Sequence, residues 1–224
     1  MRVKIYQIDT LRDTQNRKFM ASEDKPIDPS IYEGVFNAVI DENNLNAIYK
    51  RFNNEGHPLF RGHSLSVSDV IVLKDKAYIC EPAGFKEIEF DESKTQMQKN
   101  LMQVVYKEPK KPAFVTEIRY DLDSMQKAVG GGLIETIKIS NDKTILIGNE
   151  ESKLMGMEGN IRYGDGTGII AGPFFVCGEK SCDFRGLTDA ETLKYLEAFS
   201  VPEDISQAEV QADMGIKVIG FDFI

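Results

Sequence analysis

Residues 62–71 read Gly62-His63-Ser64-Leu65-Ser66-Val67-Ser68-Asp69-Val70-Ile71, a polar run that leads directly into an apolar one. Serines alternate with Leu65 and Val67, and this period of two predicts an extended chain with one buried and one solvent-facing side. The apolar end continues into a predicted strand at 70–73. Hairpin connections then lead to further strands at 77–80 and 85–90. The run therefore marks the place where a polar segment enters a sheet.

The residues before this run complete a first domain. Alternation of apolar and polar residues predicts a strand at 2–8, and we interpret 32–40 as a strand because Gly34 lies inside it. Residues 44–54 are predicted as an amphipathic helix, since apolar side chains recur there at helical spacing: Leu45, Ile48, Tyr49 and Phe52. We expect this domain to span 1–92, followed by a polar linker at 93–100.

A second domain is expected at 101–224. It contains two predicted helices, one at 122–129 and one that begins at the capping box formed by Thr188 and Glu191. The apolar run 169–177 is predicted as one central strand, and 149–154 and 160–162 as polar surface. The remaining predicted strands are 101–106, 113–118, 134–139, 145–147 and 216–224. The fold class is therefore α+β: two small domains, each a mostly antiparallel sheet with one or two packed helices.

Three consecutive glycines, Gly130, Gly131 and Gly132, could suggest a phosphate-binding loop. Such loops place their glycines before a helix, so that the N-terminal amides face the anion. Here the glycines follow a helix and precede a strand. We therefore interpret them as a helix C-cap and turn.

Charge is distributed unevenly along the chain. The net charge is −9, and residues 108–224 carry 12 basic and 20 acidic side chains, a net charge of −8. Binding to nucleic-acid phosphates relies on basic patches, so direct nucleic-acid binding is not expected. An acidic surface is suited instead to a basic protein partner, although moderate acidity also serves solubility.

Composition is that of a globular protein, with 42% hydrophobic and 28% charged residues. No apolar run approaches the roughly 20 residues of a membrane helix, and the N-terminus lacks the apolar core of a signal peptide. We therefore expect a cytoplasmic protein without membrane association. The chain has three cysteines, Cys80, Cys177 and Cys182, and this odd number does not favour a disulfide framework. Because His57 and His63 lie far upstream of Cys177 and Cys182, a metal site is not expected either. No cofactor is predicted.

A catalytic interpretation of residues 62–71 makes His63 a general base for Ser64 or Ser66, with Asp69 orienting the imidazole. Neighbouring residues of an extended chain point to opposite faces, which disfavours that arrangement. We favour the alternative in which serine and aspartate side chains bond to local backbone groups. No catalytic residue is therefore assigned. The candidate ligand- or partner-binding residues are His57, Arg61, His63, Ser64, Ser66, Ser68, Asp69, Asn149, Glu150 and Glu151.

Several short motifs lie between residues 2 and 90: Ile5-Tyr6-Gln7-Ile8, Phe52-Asn53, His57-Pro58, the run from Arg61 to Val70, and Gly84-Phe85. Together they resemble the YodL-like domain of Gram-positive bacteria and their mobile elements. A second set lies further along: Gln126, Val129-Gly130-Gly131, Ile134-Glu135, Asn149-Glu150-Glu151, Lys153-Leu154 and Ile170-Ala171-Gly172. This set resembles a small domain of unknown function common in phages and conjugative elements. Gly132 departs from that pattern, which usually has an aromatic or apolar residue after the second glycine.

The resemblance implies an intracellular accessory protein of a Gram-positive mobile element, and it supplies no catalytic residue. Our leading hypothesis is a non-enzymatic protein that binds a host or element-encoded protein, in counter-defence or regulation. The alternative is a small-ligand or nucleotide-binding module, or an enzyme, that uses the polar patch at 57–69. The sequence does not indicate an oligomeric state.

Overall fold

The computed structural model describes residues 1–22, 26–138, 140, 142–164, 166, 168–181 and 183–214. The chain divides into two compact units, Met1–Leu101 and Met102–Ile224. Each unit is an α+β fold on a mostly antiparallel sheet, which confirms the predicted fold class. Within the described residues, no helix is both long and apolar enough to cross a membrane. The predicted strand 216–224, Ile139 at the end of the predicted strand 134–139, and Cys182 lie outside the described residues.

The first unit contains a five-stranded sheet in the order β2-β1-β3-β4-β5, and all its strand pairs are antiparallel. Its strands are β1 (Arg2–Ile8), β2 (Tyr32–Val39), β3 (Val70–Leu73), β4 (Lys76–Glu81) and β5 (Gly84–Ile88). All four β3 residues are buried, as expected for a central strand of β-branched and leucine residues. Lys74 and Asp75 both have positive φ, so the β3–β4 turn matches the twist of its strands.

Both faces of this sheet are covered. Helix α1 (Leu45–Asn54) begins at Asn44, whose side chain accepts a hydrogen bond from the Ala47 amide. On its face of the sheet Phe52 packs edge-on against Phe36 of β2, with 4.7 Å between ring centroids. On the other face Tyr6 packs against Phe90 at 5.3 Å. The two aromatic contacts give the unit a hydrophobic layer on each side.

Residues 93–100, predicted as a linker, make hydrogen bonds within the first unit. Gln96 donates its amide to the Tyr32 carbonyl and accepts from the Gly34 amide, at 2.8 and 3.2 Å. A short 3-10 helix (Glu92–Lys94) precedes this contact. The outer edge of β2 is therefore covered by the chain itself.

The second unit contains a sheet in the order β7-β6-β12-β9-β8, with β13 paired to β12, and a separate two-stranded sheet β10-β11. Its strands are β6 (Leu101–Lys107), β7 (Phe114–Arg119), β8 (Ile134–Ile137), β9 (Thr144–Asn149), β10 (Gly159–Tyr163), β11 (Gly168–Ala171), β12 (Phe174–Lys180) and β13 (Asp183–Arg185). The central position of β12 agrees with the predicted buried strand.

Three predictions for this unit are wrong. Residues 149–154 are not all polar surface, because Asn149, at the end of β9, and Ser152 are buried. The run 169–177 is two strands rather than one, because Gly172 has φ of +73° and Pro173 supplies no amide for pairing. Residues 160–162 belong to β10 rather than to polar surface. Asn160 is fully buried there, and its side-chain amide bonds to the Lys107 and Gly172 carbonyls. A buried polar residue with internal partners has the same sequence appearance as an exposed one.

Helices pack on both faces of the larger sheet. Tyr195 of α3 (Asp189–Ala198) lies in the core with Val105, Leu146 and Val176. On the opposite face Tyr106 donates its hydroxyl to the Ala128 carbonyl of α2 (Leu122–Ala128) at 2.9 Å. A further helix, α4 (Gln207–Asp213), was not predicted and covers β11 through Val210. The predicted capping box at Thr188 and Glu191 is confirmed at the start of α3.

The glycine turn after α2 has the predicted form. Gly130, Gly131 and Gly132 all have positive φ, and the Gly131 amide donates to the Gln126 carbonyl at 2.8 Å. This geometry closes the C-terminus of α2 and leads into β8. A Cβ at Gly132 would lie 3.0 Å from the Glu151 carboxylate, so the backbone passes close to that side chain.

Candidate functional site

The polar segment 62–69 is an irregular loop that enters β3, and the predicted alternation of buried and exposed faces is wrong there. Ser64 is exposed, whereas Ser68 and Asp69 are buried, so the serines do not share a face. Side-chain hydrogen bonds to the backbone determine the path of the loop. This is the arrangement that the sequence analysis favoured over a catalytic one. Three such bonds converge on Asp69 and Gln7.

Asp69 and Gln7 form a buried pair beneath the loop. Gln7, on β1, donates its side-chain amide to Asp69 Oδ2 at 2.9 Å, and Asp69 Oδ2 also accepts the Ser66 amide at 2.8 Å. The Asp69 backbone continues the connection to the sheet, because its carbonyl accepts the Cys80 amide at 2.8 Å. The carboxylate therefore closes a local turn and attaches it to β1, and the Asp69 carbonyl attaches it to β4.

Gln7 also holds His63. Its side-chain oxygen accepts the His63 amide at 3.0 Å, and its side-chain nitrogen donates to the His63 carbonyl at 2.7 Å. Gln7 thus pairs with the His63 backbone as a strand residue would. The sequence analysis did not assign a role to Gln7, although its position in phase with Val3 and Ile5, on the buried side of the alternating strand, was a signal for a buried polar contact.

The His63 ring faces backbone rather than a serine hydroxyl. Nδ1 lies 2.8 Å from the Ser64 carbonyl oxygen and 3.9 Å from Asp69 Oδ2. Nε2 of His63 and Oδ1 of Asp69 are buried, and neither has a hydrogen-bond partner within the part of the chain that the structure describes. The nucleophile–base contact that a serine hydrolase requires is therefore not formed in this arrangement.

Two residues with unusual backbone conformations lie beside the Gln7–Asp69 pair. Phe19 and Ser68 both have positive φ, 65° and 77°, and the Phe19 amide donates to the Ser68 hydroxyl at 2.9 Å. Positive φ is unusual for an aromatic residue. The Phe19 ring is 55% exposed, and its centroid lies 5.3 Å from that of His63. The loop after β1 is thus attached to the loop before β3.

Burial determines the protonation of Asp69 in this loop and of two cysteines, Cys80 in the first unit and Cys177 in the second. It raises the pKa of Asp69 to about 7, against the hydrogen bonds from Ser66 and Gln7 that favour the carboxylate. Burial also raises the pKa of the Cys80 and Cys177 thiols to about 12. Thiols with such pKa values are not thiolates near neutral pH, so these cysteines are poor nucleophiles.

The remaining patch residues, His57 and Arg61, serve other parts of the first unit. His57 is buried, its ring packs at 4.9 Å from that of Phe36, and its Nδ1 accepts the Leu59 amide at 3.1 Å. Arg61 donates to the Gly34 carbonyl and to the Gln98 side chain, at 3.2 and 2.9 Å. None of these contacts involves Asp69. The seven candidate residues between positions 57 and 69 therefore do not converge on one common group.

Two of the recesses in the first unit bear on ligand binding. One is a cavity of about 60 Å³, whose lining includes Arg17, Tyr32 and Ser68. The other is an open groove of about 570 Å³ between the start of α1 and the β3–β4 hairpin, with Tyr78 and Phe85 among its walls. Ser68 is the single predicted site residue among the described linings of these two recesses.

In the second unit Asn149 is buried at the end of β9. Its side-chain amide donates to the Gly131 carbonyl, and its side-chain oxygen accepts the Glu151 amide at 2.8 Å. Asn149 therefore fixes the glycine turn against the turn that follows β9. Its role in this geometry is positional, since both polar ends of the side chain face the backbone.

Glu150 and Glu151 are exposed at the same end of the β8–β9 pair. The Glu150 amide donates to the Leu133 carbonyl at 2.9 Å, which joins their turn to the start of β8. Large apolar side chains are also exposed here, with relative exposures of 56% for Leu133, 73% for Leu154 and 54% for Met155. We call these five residues the β8–β9 surface. The three apolar members were missed by the sequence analysis.

Comparison with known families matches residues 2–90 to the YodL-like domain. It matches residues 102–200 to a domain of unknown function, DUF3846. The β8–β9 surface lies within the second match, and the loop 62–69 lies within the first. Searches of curated proteins and of solved structures found no match.

Proposed function

We propose that this chain, in which a YodL-like domain precedes a DUF3846 domain, is a non-enzymatic accessory protein of a Gram-positive mobile element. In this proposal it acts in the cytoplasm by binding a host or element-encoded protein, in counter-defence or regulation. The observation that supports binding is the β8–β9 surface. Three large apolar side chains are each more than half exposed there, beside two carboxylates.

Exposed apolar side chains that lie together are typical of interaction sites, whereas single ones are common on any surface. A rim of charged groups around an apolar centre is also typical of protein interfaces. The polar loop 62–69 has the opposite character, because its buried groups bond to one another and to the backbone. These observations favour a protein contact over catalysis.

The experiment is affinity capture of the tagged chain from a Gram-positive host that carries the mobile element. We expect a specific protein with the wild type, and its loss with Leu154→Glu combined with Met155→Glu. The matched control is Ser64→Glu, which changes an exposed residue of the first unit. We expect this variant to retain the partner. Repeated capture of no specific protein, or equal loss in the control, would contradict the proposal.

A second candidate is a small-ligand module, which the cavity beside Ser68 favours. Its volume of about 60 Å³ is enough for a few water molecules or a small ion. Nucleotide and drug-sized ligands occupy pockets of roughly 300–1,000 Å³, which is larger than this cavity. A thermal-shift screen with small anions and metals tests it, since a ligand of the folded state raises the melting temperature. Loss of the shift in Arg17→Ala would place the ligand in this cavity.

A further inference from the structure

We propose that the outer edge of β8 binds an extended, basic segment of the partner protein as an added β-strand. This inference rests on the proposed function, because it specifies the partner chemistry of the same surface. Three observations carry it: the β8 backbone groups that face away from β9 and pair with no other described strand, the lack of lysine and proline in β8, and the carboxylates around it.

The hydrogen-bonding pattern shows which backbone groups of β8 face outward. In an antiparallel pair, hydrogen-bonded and non-hydrogen-bonded residue pairs alternate. The Glu150 amide bonds to the Leu133 carbonyl, and Ile134 and Thr136 lie opposite Asn149 and Ile147. Ile134 and Thr136 therefore direct their N–H and C=O groups away from β9. The sheet order ends at β8, and the described residues supply no strand beyond it.

Edge strands usually carry features that prevent further pairing, such as lysine, proline or a covering segment. In the first unit the edge of β2 is covered by Gln96, and the edge strand β5 contains Lys86. The β8 sequence Ile-Glu-Thr-Ile has neither lysine nor proline. Its Thr136 is exposed, so this edge is suited to strand addition.

The charge around β8 defines the partner. Glu135 lies within β8, and Glu150 and Glu151 lie at its start. The nearby Lys153 and Lys138, the latter directly after β8, are paired with Asp213 and Glu179 at 2.5 and 3.3 Å, so their charges are already compensated. An added strand would therefore meet carboxylates, and lysine or arginine side chains would complement them. Apolar residues in the same strand would contact Leu133, Leu154 and Met155.

The probe is a synthetic peptide of alternating lysine and valine, added to the isotope-labelled full chain. We expect shifts of the Ile134 and Thr136 amide resonances and slower hydrogen exchange at both, with the effect reduced by salt. A glutamate–valine peptide, and the basic peptide with its alternate amides methylated, should have no effect. In the free chain the same two amides should exchange faster than those of Glu135 and Ile137.

The matched variants are Thr136→Pro and Thr136→Val. Proline removes the outward N–H without breaking a bond to β9, so we expect at least about tenfold weaker peptide binding. Valine keeps the N–H and should bind as the wild type does. Unchanged amide spectra of the second unit away from β8, together with unchanged melting of Thr136→Pro, would exclude misfolding.

Equal binding by Thr136→Pro, or shifts confined to other residues, would overturn the inference. So would a Thr136 amide that exchanges slowly in the free chain and becomes fast when residues 215–224 are deleted, because the chain itself would then occupy the edge. If the captured partner is lost in Leu154→Glu with Met155→Glu but retained in Thr136→Pro, the proposed function stands and strand addition fails.

Discussion

The loop 62–69 and the turn after β9, residues 149–155, look alike in sequence, since both contain a run of polar residues beside an apolar strand. They differ in where their polar groups point. In the loop, Gln7 and Asp69 are buried and bond to the backbone around them. In the turn after β9, Asn149 and Ser152 are buried, and Glu150 and Glu151 face solvent. Polarity alone therefore does not identify a binding site, whereas the direction of the polar groups does.

The largest expected effect concerns the titration of Asp69. Its pKa of about 7 in the folded chain lies above the unfolded value of about 4. Between these values the folded state holds a proton that the unfolded state has lost. The Asp69 contribution to stability is thus complete below about pH 4 and is lost as the pH rises through about 7. Three pKa units correspond to about 4 kcal/mol.

Urea unfolding of the wild type and of Asp69→Asn at several pH values measures this contribution. We expect the wild type to lose about 4 kcal/mol relative to the variant between about pH 4 and pH 8. Carboxylates with lowered pKa, such as Glu191, titrate equally in both proteins and cancel in the difference. Parallel pH profiles would show that Asp69 is not desolvated.

The second prediction concerns Gln7. Gln7→Ala removes one accepted and two donated hydrogen bonds, and leaves the His63 amide, the His63 carbonyl and Asp69 Oδ2 with fewer partners. Buried groups without partners cost about 1–3 kcal/mol each, so we expect a loss of about 3 kcal/mol in the free energy of unfolding. Ser64→Ala, on the exposed side of the same loop, should change it by less than about 0.5 kcal/mol. Equal effects in the two variants would remove the contrast between the two regions.

The third prediction compares a buried residue, Asn149, with its exposed neighbour, Glu150. Asn149→Ala leaves the Gly131 carbonyl and the Glu151 amide without their side-chain partner. We expect a loss of about 2 kcal/mol on chemical denaturation. Glu150→Gln should stay within about 0.5 kcal/mol of the wild type, because its side chain is exposed. A stable Asn149→Ala variant would mean that the glycine turn does not depend on this amide.

The smallest effect is expected for the apolar members of the surface. Leu154 is 73% exposed, whereas Leu65 of the loop is 3% exposed. Leu154→Ala should therefore change the free energy of unfolding by less than about 0.5 kcal/mol, and Leu65→Ala should cost about 3 kcal/mol. A large cost for Leu154→Ala in thermal melting would show that this side chain serves the fold rather than a partner.

Local signals predicted much of the fold. The α1 spacing, the β3–β4 turn and the Thr188–Glu191 capping box depend on residues a few positions apart, and the structure contains all three. The break at Gly172 and Pro173 was also visible, but the apolar residues around it outweighed that signal. The buried Asp69–Gln7 bond was not accessible in this way, because its partners are separated by 62 positions.

Exposure was the other quantity that sequence could not supply. Leu133, Leu154 and Met155 are residue types that usually lie in a protein core. Only the packing of β8 and of the turn after β9 leaves them at the surface. Asn149 and Glu150 are adjacent and both polar, yet one is buried and the other exposed. Periodicity could not separate them, because β9 ends between the two residues.

The most direct measurement of the central claim is site-specific photo-crosslinking in a host that carries the mobile element. Benzoylphenylalanine replaces Leu154 in one version of the chain and Ser64 in another, and both positions are exposed. The account predicts a discrete crosslinked protein from position 154 and none from position 64. A discrete adduct from position 64 alone would contradict it and assign the binding role to the polar loop of the first unit.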